Sequence, residues 1–289
     1  LKPAAGGYTP ASGPAVLKRM APAILLGPSL VLFAVLFVAP LIGLGRLSLS
    51  DPAPFGFSNY TRFLFDSYYL AVLGGTLLLG VLVTALCIAV GLPLAYVLAR
   101  LEWRFAPFLL LLTTFPLWVS AVVRSFAWMV LFFRGGLVTE LVKATGLVPP
   151  SFQLMYTFSG LVIALAQVLL PLFVITLYGI IRGIDRDLEN AAMNLGASPA
   201  FAAIMVTMRL ARGGIFAGSL LVFSFAISAF ATPILVGGVR AHLMAVTIQE
   251  QTLELLDWPF AAALSILLLL IGLAVAFAYG RLVNERTDR

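Results

Sequence analysis

Few residues of this chain are of a type that does chemistry, and their placement limits what the chain can do. There is one histidine, His242, and one cysteine, Cys87, in 289 residues. A zinc site needs several His, Cys or carboxylate ligands, and a nucleophilic pair needs a thiol beside a base. One residue of each type supplies neither, so no metal site is expected. Cys87 sits within a long apolar run, where it reads as a small core residue. No Gly-x-x-x-x-Gly-Lys phosphate loop is present, so the chain does not hydrolyse ATP by that route. None of the 12 acids falls inside an apolar stretch. Ion-coupled carriers use carboxylates or histidines buried in the membrane, and here those residues are missing. One charge does lie inside, at Arg124. An intramembrane charge is expensive and faces a partner or an aqueous cavity. As a pathway residue Arg124 attracts anions; as a structural residue it bonds carbonyls freed at a broken helix or meets a partner subunit.

The elements that must hold these residues follow from composition. Apolar residues make up 62% and charged residues 10%, against about 25% charged in soluble domains. This excludes a soluble enzyme, a disordered chain and a disulfide scaffold. Six apolar stretches stand out, at about 23–45, 70–99, 106–133, 158–181, 214–237 and 260–280. Each reaches the roughly 20 residues a membrane-spanning helix needs. They are continuously apolar, without the period-two alternation of a barrel strand. The expected fold is all-α: a polytopic membrane protein with six transmembrane helices. Pro40, Pro93, Pro116, Pro171 and Pro233 fall in or near them, so kinks or broken ends are expected. Lys18 and Arg19 precede the first stretch, which is longer than the ~7–15-residue core of a secretion signal and reads as a retained helix. Residues 1–20 read as a flexible tail and 21–289 as a single transmembrane domain.

Six spans put both termini on one side. That side carries twelve bases and the other five, with Arg124 in between. By the positive-inside rule both termini face the cytoplasm. The net charge of +6 is thereby a topology signal, with no nucleic-acid partner needed to explain it. The expected surroundings are membrane lipid.

The longest cytoplasmic loop is 182–213. Asp185 or Asp187 can cap a helix that begins near Leu188 and ends at Gly196, a left-handed stop. A second helix can start at Ser198 with Pro199 in its first position and run toward Thr207. Leu188, Ala191, Ala192 and Leu195 share one helical face, and small residues at Ala191, Ala192 and Gly196 let another surface approach. The spacing alone is equally that of an amphipathic hairpin joining two spans.

Glu189–Asn190–Ala191–Ala192 followed by Leu195–Gly196–Ala197–Ser198 resembles the EAA loop of bacterial ABC-importer permeases. Gly91–Leu92–Pro93–Leu94–Ala95–Tyr96 is similar to that family's membrane signature. Arg124–Ser125–Phe126–Ala127–Trp128 resembles a segment of the spermidine/putrescine-type permeases. Asn59–Tyr60, Thr232–Pro233 with Gly237–Gly238, and Gln251 with Trp258–Pro259 fit as well, so the resemblance covers most of the chain from about residue 20. It implies a coupling helix docked on a cytoplasmic ATPase dimer through Glu189, Ala191, Ala192, Leu195, Gly196 and Ala197. It also implies a second, homologous permease subunit, a soluble periplasmic or extracellular substrate-binding protein, and residence in the bacterial cytoplasmic (inner) membrane. ATP and Mg then belong to the ATPase, and this chain binds no cofactor. Three departures are present. Asn190 stands inside the usual Glu-Ala-Ala, Met208–Arg209 replaces Leu-Pro, and Gly213–Gly214 replaces Pro-Gly. Without those prolines the return into the fifth span should be less sharply bent.

The resemblance points to a polyamine or related amine as substrate. Trp128, Phe223, Ser224, Ser228 and Thr232, with Phe126, Phe132, Phe225 and Phe230 nearby, are candidate pathway residues beside Arg124. Any single Phe reads equally as packing or lipid contact. Glu250, Glu254 and Asp257 form an outer acidic segment that receives a cation or docks basic residues of the binding protein. An opine, an iron complex or an organic anion are alternative substrates, and an ATPase-independent carrier is the alternative mechanism.

Overall fold

Backbone groups find no water inside a bilayer, so apolar runs must close their hydrogen bonds within helices. The computed structural model describes residues 27–50, 56–100, 106–146, 148–149, 151–238 and 242–284, and the tail expected at 1–20 lies outside the described residues. Every regular element among the described residues is helical. In chain order these are α1 (Gly27–Ser48), α2 (Ser58–Phe65), α3 (Ser67–Arg100), α4 (Ala106–Thr114), α5 (Ala121–Phe132) and α6 (Leu137–Ala144). There follow α7 (Phe158–Arg182), α8 (Asp187–Asn194), α9 (Pro199–Met208), α10 (Arg212–Ser228), α11 (Met244–Leu253) and α12 (Trp258–Asn284).

The expected first, second, fourth and sixth spans are α1, α3, α7 and α12. The third and fifth depart from expectation. The stretch 106–133 is not one helix: α4 tightens into a 3-10 turn at Phe115–Trp118, the chain runs extended at Val119, and α5 starts afresh. Pro116 lies in that turn and lacks the N–H that would continue the ladder. The α5–α6 stretch Ala121–Ala144 is long and apolar enough to cross a membrane. The stretch 214–237 is also divided. Helix α10 stops at Ser228, Ala229 is extended, and Pro233 opens a wide π-type turn over Pro233–Gly237. Pro40 likewise follows a wide turn at Ala34–Val38, whereas Pro93 and Pro171 sit inside helices that continue through them. Five stretches are long and apolar enough to cross, or six when the bent pair α9–α10 counts as one.

Helices α3, α7 and α10 form the centre, where Leu79, Val83, Cys87, Phe173, Leu177 and Val222 are fully buried. Cys87 is the core residue its position predicts, with its Sγ donating to the Ala166 carbonyl at 3.5 Å. Helices α3 and α10 approach so closely that a Cβ on Gly80 would lie 2.7 Å from the Phe223 ring. This is the small-residue contact by which helices pack in lipid. A second cluster joins Phe63 of α2, Tyr69 and Val72 of α3, Met244 of α11, and Phe260 and Leu264 of α12. A third gathers Phe132, Leu154, Met155, Ala164 and Val236 beyond the two span breaks. Helix α1 packs along α12 and buries none of its apolar window inside the chain.

Candidate coupling and translocation sites

The loop after α7 folds as two short helices around one turn. Helix α8 begins at Asp187, one residue before the expected start, with the Asp185 carboxylate accepting from the Asp187 N–H at 3.0 Å. It ends in a Schellman closure. Gly196 takes φ +96°, its N–H donates to Met193 O at 2.9 Å, and the Ala197 N–H donates to Ala192 O at 3.1 Å. Ser198 then caps α9 as its spacing predicts, accepting from the Phe201 N–H at 3.3 Å with Pro199 in the first position. Helix α9 widens into a π-type turn over Ala203–Met208 and meets α10 at 73°. The return is therefore sharp even with Arg209 and Gly213 where the family has prolines.

The side chains of the loop divide between two faces. Leu188 and Leu195 point outward, Leu195 being 91% exposed, with Ala191 and Gly196 exposed and Ala192 and Ala197 half-buried beside them. Glu189, expected on the same docking face, turns the other way and is 8% exposed. Its carboxylate accepts from Arg100 Nε at 3.0 Å and Nη2 at 2.8 Å, from the Tyr96 hydroxyl at 3.0 Å, and from Thr207 Oγ1. The reason is the helical period: adjacent positions on α8 lie about 100° apart, so Leu188 outside leaves Glu189 facing the bundle. Burial opposes the charged carboxylate, but the bonds from Thr207, Tyr96 and Arg100 outweigh it and hold its pKa below the usual carboxylate range. Arg100 Nη1 also donates to Ile184 O at 2.9 Å. Arg100, Tyr96 and Thr207 were not picked out from the sequence as partners of Glu189. The available signal was the Tyr96–Arg100 spacing of i, i+4, which puts both on one face at the inner end of α3.

Among the candidate pathway residues, Arg124 donates to the Pro116 carbonyl, an acceptor freed at the break in the third span. Its Nε is buried without a hydrogen-bond partner. The next residue, Ser125, lies 3.1 Å from Thr232 Oγ1, so the two broken spans are bonded to each other. Thr232 is thus buried in the packing, as is Phe223 against Gly80, while Trp128 Nε1 donates to Gln167 Oε1 at 3.2 Å. Phe132 is buried, whereas Phe126, Phe225 and Phe230 are exposed.

Ser224 and Ser228 do meet at one place, a cleft of about 760 Å³ between α10, α11 and α12. Phe230, Gln249 and Ser265 share its lining, with no charged side chain among the lining residues. Each serine spends its hydrogen on its own helix: Ser224 on Leu220 O, Ser228 on Ser224 O, and Ser265 on Ala261 O. Gln249 Oε1 is buried without a partner. The polar groups offered to the cleft are therefore predominantly acceptors. Of the outer acids, Glu250 and Glu254 are exposed. Asp257 is engaged, pairing with Arg62 at 2.9 Å and accepting from the Phe260 N–H at 3.2 Å.

A bundle of apolar helices with two broken spans and an inner loop of paired short helices is the architecture of a multi-pass membrane permease. The family model described as "Binding-protein-dependent transport system inner membrane component" matches residues 88–288, and the chain belongs to that family. It is an inner-membrane permease subunit of an ABC importer. It is 34% identical over 266 residues to the spermidine/putrescine transport system permease protein PotB of Escherichia coli (strain K12), covering 90% of this chain and 96% of that protein. It is 32% identical over 206 residues to the molybdenum transport system permease protein ModB of Mycobacterium tuberculosis (strain ATCC 25618 / H37Rv), covering 71% of this chain and 76% of that one. The fold matches the bacterial alginate ABC transporter crystallised with an alginate pentasaccharide-bound periplasmic protein. There the TM-score is 0.80 at 16% identity, over 94% of this chain and 97% of that one.

Proposed function

We propose that this chain forms half of the translocation pathway for a polyamine such as spermidine or putrescine. The carrying observation is the 34% identity to a spermidine/putrescine permease across 90% of this chain. The molybdenum permease matches a smaller part, 71%. The chemistry of the cleft supports a cation. Its acceptor oxygens at Ser224, Ser228, Ser265 and Gln249 suit ammonium donors, and Phe230 offers a ring face. Arg124, the one feature that favoured an anion, spends a donor on Pro116 O.

In this reading a second, homologous permease completes the pathway, and a periplasmic or extracellular binding protein delivers substrate from above. Two cytoplasmic ATPases hold ATP and Mg, and this chain binds no cofactor. Both termini face the cytoplasm, which puts the face of α8 bearing Leu188, Ala191 and Leu195 against the ATPase. ATP-driven closure of that dimer moves the loop and switches the bundle between inward- and outward-facing states. Such a switch requires contacts that differ between the two states.

The test is uptake of labelled spermidine and putrescine by the complete complex in proteoliposomes with ATP inside and binding protein outside. ATP- and binding-protein-dependent uptake of either polyamine is the expected result. Uptake of molybdate instead, or uptake that persists without the ATPase, overturns the reading.

A further inference from the structure

We propose that Arg100 is a positioning residue for energy coupling: its guanidinium fastens the inner end of α3 to α8 and α9, so that loop and bundle move as one body. The inference rests on the reading that this loop docks the ATPase.

Helix α8 has little else to hold it. It is eight residues long, far below the ~12–15 residues at which isolated helices become even marginal. It turns Leu188, Met193 and Leu195 outward, so its apolar side chains do not anchor it. Its buried charged residue is Glu189, and all of the guanidinium's nitrogens converge there or beside it. Nε and Nη2 reach Glu189 Oε1 at 3.0 and 2.8 Å, Nη1 reaches Ile184 O at 2.9 Å, and Nη2 also reaches Thr207 Oγ1 at 3.2 Å. From the loop side, Arg186 Nη2 donates to the Arg100 carbonyl at 2.8 Å. The two charged side chains are 9% and 10% exposed. Separating them leaves an unpaired charge in a place with little water, which is strongly unfavourable. A push on α8 is therefore passed to α3 and α9 before the joint gives way. A flat fork of five donors makes such a multi-way tie, which the point charge of a lysine cannot reproduce.

The experiment uses the full complex of both permeases, the ATPase dimer and the binding protein in proteoliposomes. It reads uptake and the stimulation of ATP hydrolysis by ligand-loaded binding protein, with assembly checked by gel filtration. Arg100→Gln and Glu189→Gln are each expected to lower stimulation about 5-fold or more, the lower end of typical coupling between sites. The double variant should be no worse than the worse single one, because both act through one joint. Arg100→Lys should recover only part of the loss. Wild-type stimulation in assembled Arg100→Gln, or losses that multiply in the double variant, overturns the proposal. If Arg100→Gln fails to assemble, Thr207→Val and Glu189→Gln carry the same readout. Leu195→Asp, on the opposite face, separates the two readings. If it is uncoupled while Arg100→Gln is not, only the joint is wrong; if it stays fully coupled, the docking reading fails and the joint with it.

Discussion

Glu189 carries a pH window. Its carboxyl is held below the ordinary carboxylate range by Thr207, Tyr96 and Arg100 against the opposing effect of burial. A carboxyl lowered in the folded state stabilises the fold above its unfolded pKa of about 4.3, and this contribution fades as pH falls through the native value. The tie is thus intact at neutral pH and is lost only in acid. Thermal melts of the purified complex from neutral to acid pH are expected to lose stability below about pH 4.5, and Glu189→Gln should flatten that part of the curve. The residue was legible in the sequence as important, but its direction was not. Glu189 sits among Leu188, Ala191 and Ala192 in a pattern that groups them together. What decides its direction is Arg100, 89 positions away. Arg124 shows the same limit, since its acceptor exists only because the helix breaks at Pro116.

Elements were easier to read than their interruptions. Long apolar runs marked α1, α3, α7 and α12 because a lipid-facing helix has few polar residues to confuse its boundaries. The prolines marked possible breaks without saying which would break: Pro116 and Pro233 stand at divided spans, while Pro93 and Pro171 lie in continuous helices. The glycine stop at Gly196 was legible, because an αL closure followed by Ser-Pro has few alternatives. Nothing lies within 4 Å of a Cβ built there, so substitution acts through the φ of +96° alone. Gly196→Ala is expected to cost about 1–2 kcal/mol of local stability, read as faster amide exchange across 192–198. Gly196→Asp, which adds a charge at the exposed turn, is expected to abolish uptake while leaving membrane insertion intact. Packing inside the core gives a second check. Gly80→Leu forces the Phe223 ring aside and should destabilise by about 1–3 kcal/mol, seen as a lower melting temperature of the purified complex. Gly74→Leu, with open space around its Cβ, should not.

At the scale of the molecule, the charge count and the structure together make an accessibility map. The single native thiol is buried, so Cys87→Ala gives a quiet background for labelling. A cysteine at Glu254 should react with a membrane-impermeant thiol reagent in intact spheroplasts, and one at Leu195 only after the membrane is opened; the reverse pattern overturns the orientation proposed above. The overall six-span plan was legible because lipid imposes it. The arrangement of the spans was not, since it depends on which apolar faces meet and which are left for lipid or a second subunit. The wide turn at Ala203–Met208 has a consequence of its own here. It holds one residue more than an α-helical turn would, and so sets the phase between the loop and the fifth span. Deleting one residue within 203–208 would let the helix close to its ordinary pitch and rotate everything before it by about 100° relative to everything after. Leu195 would then face a different direction with every contact partner still present in the sequence, a change of timing between two gears rather than the loss of a tooth.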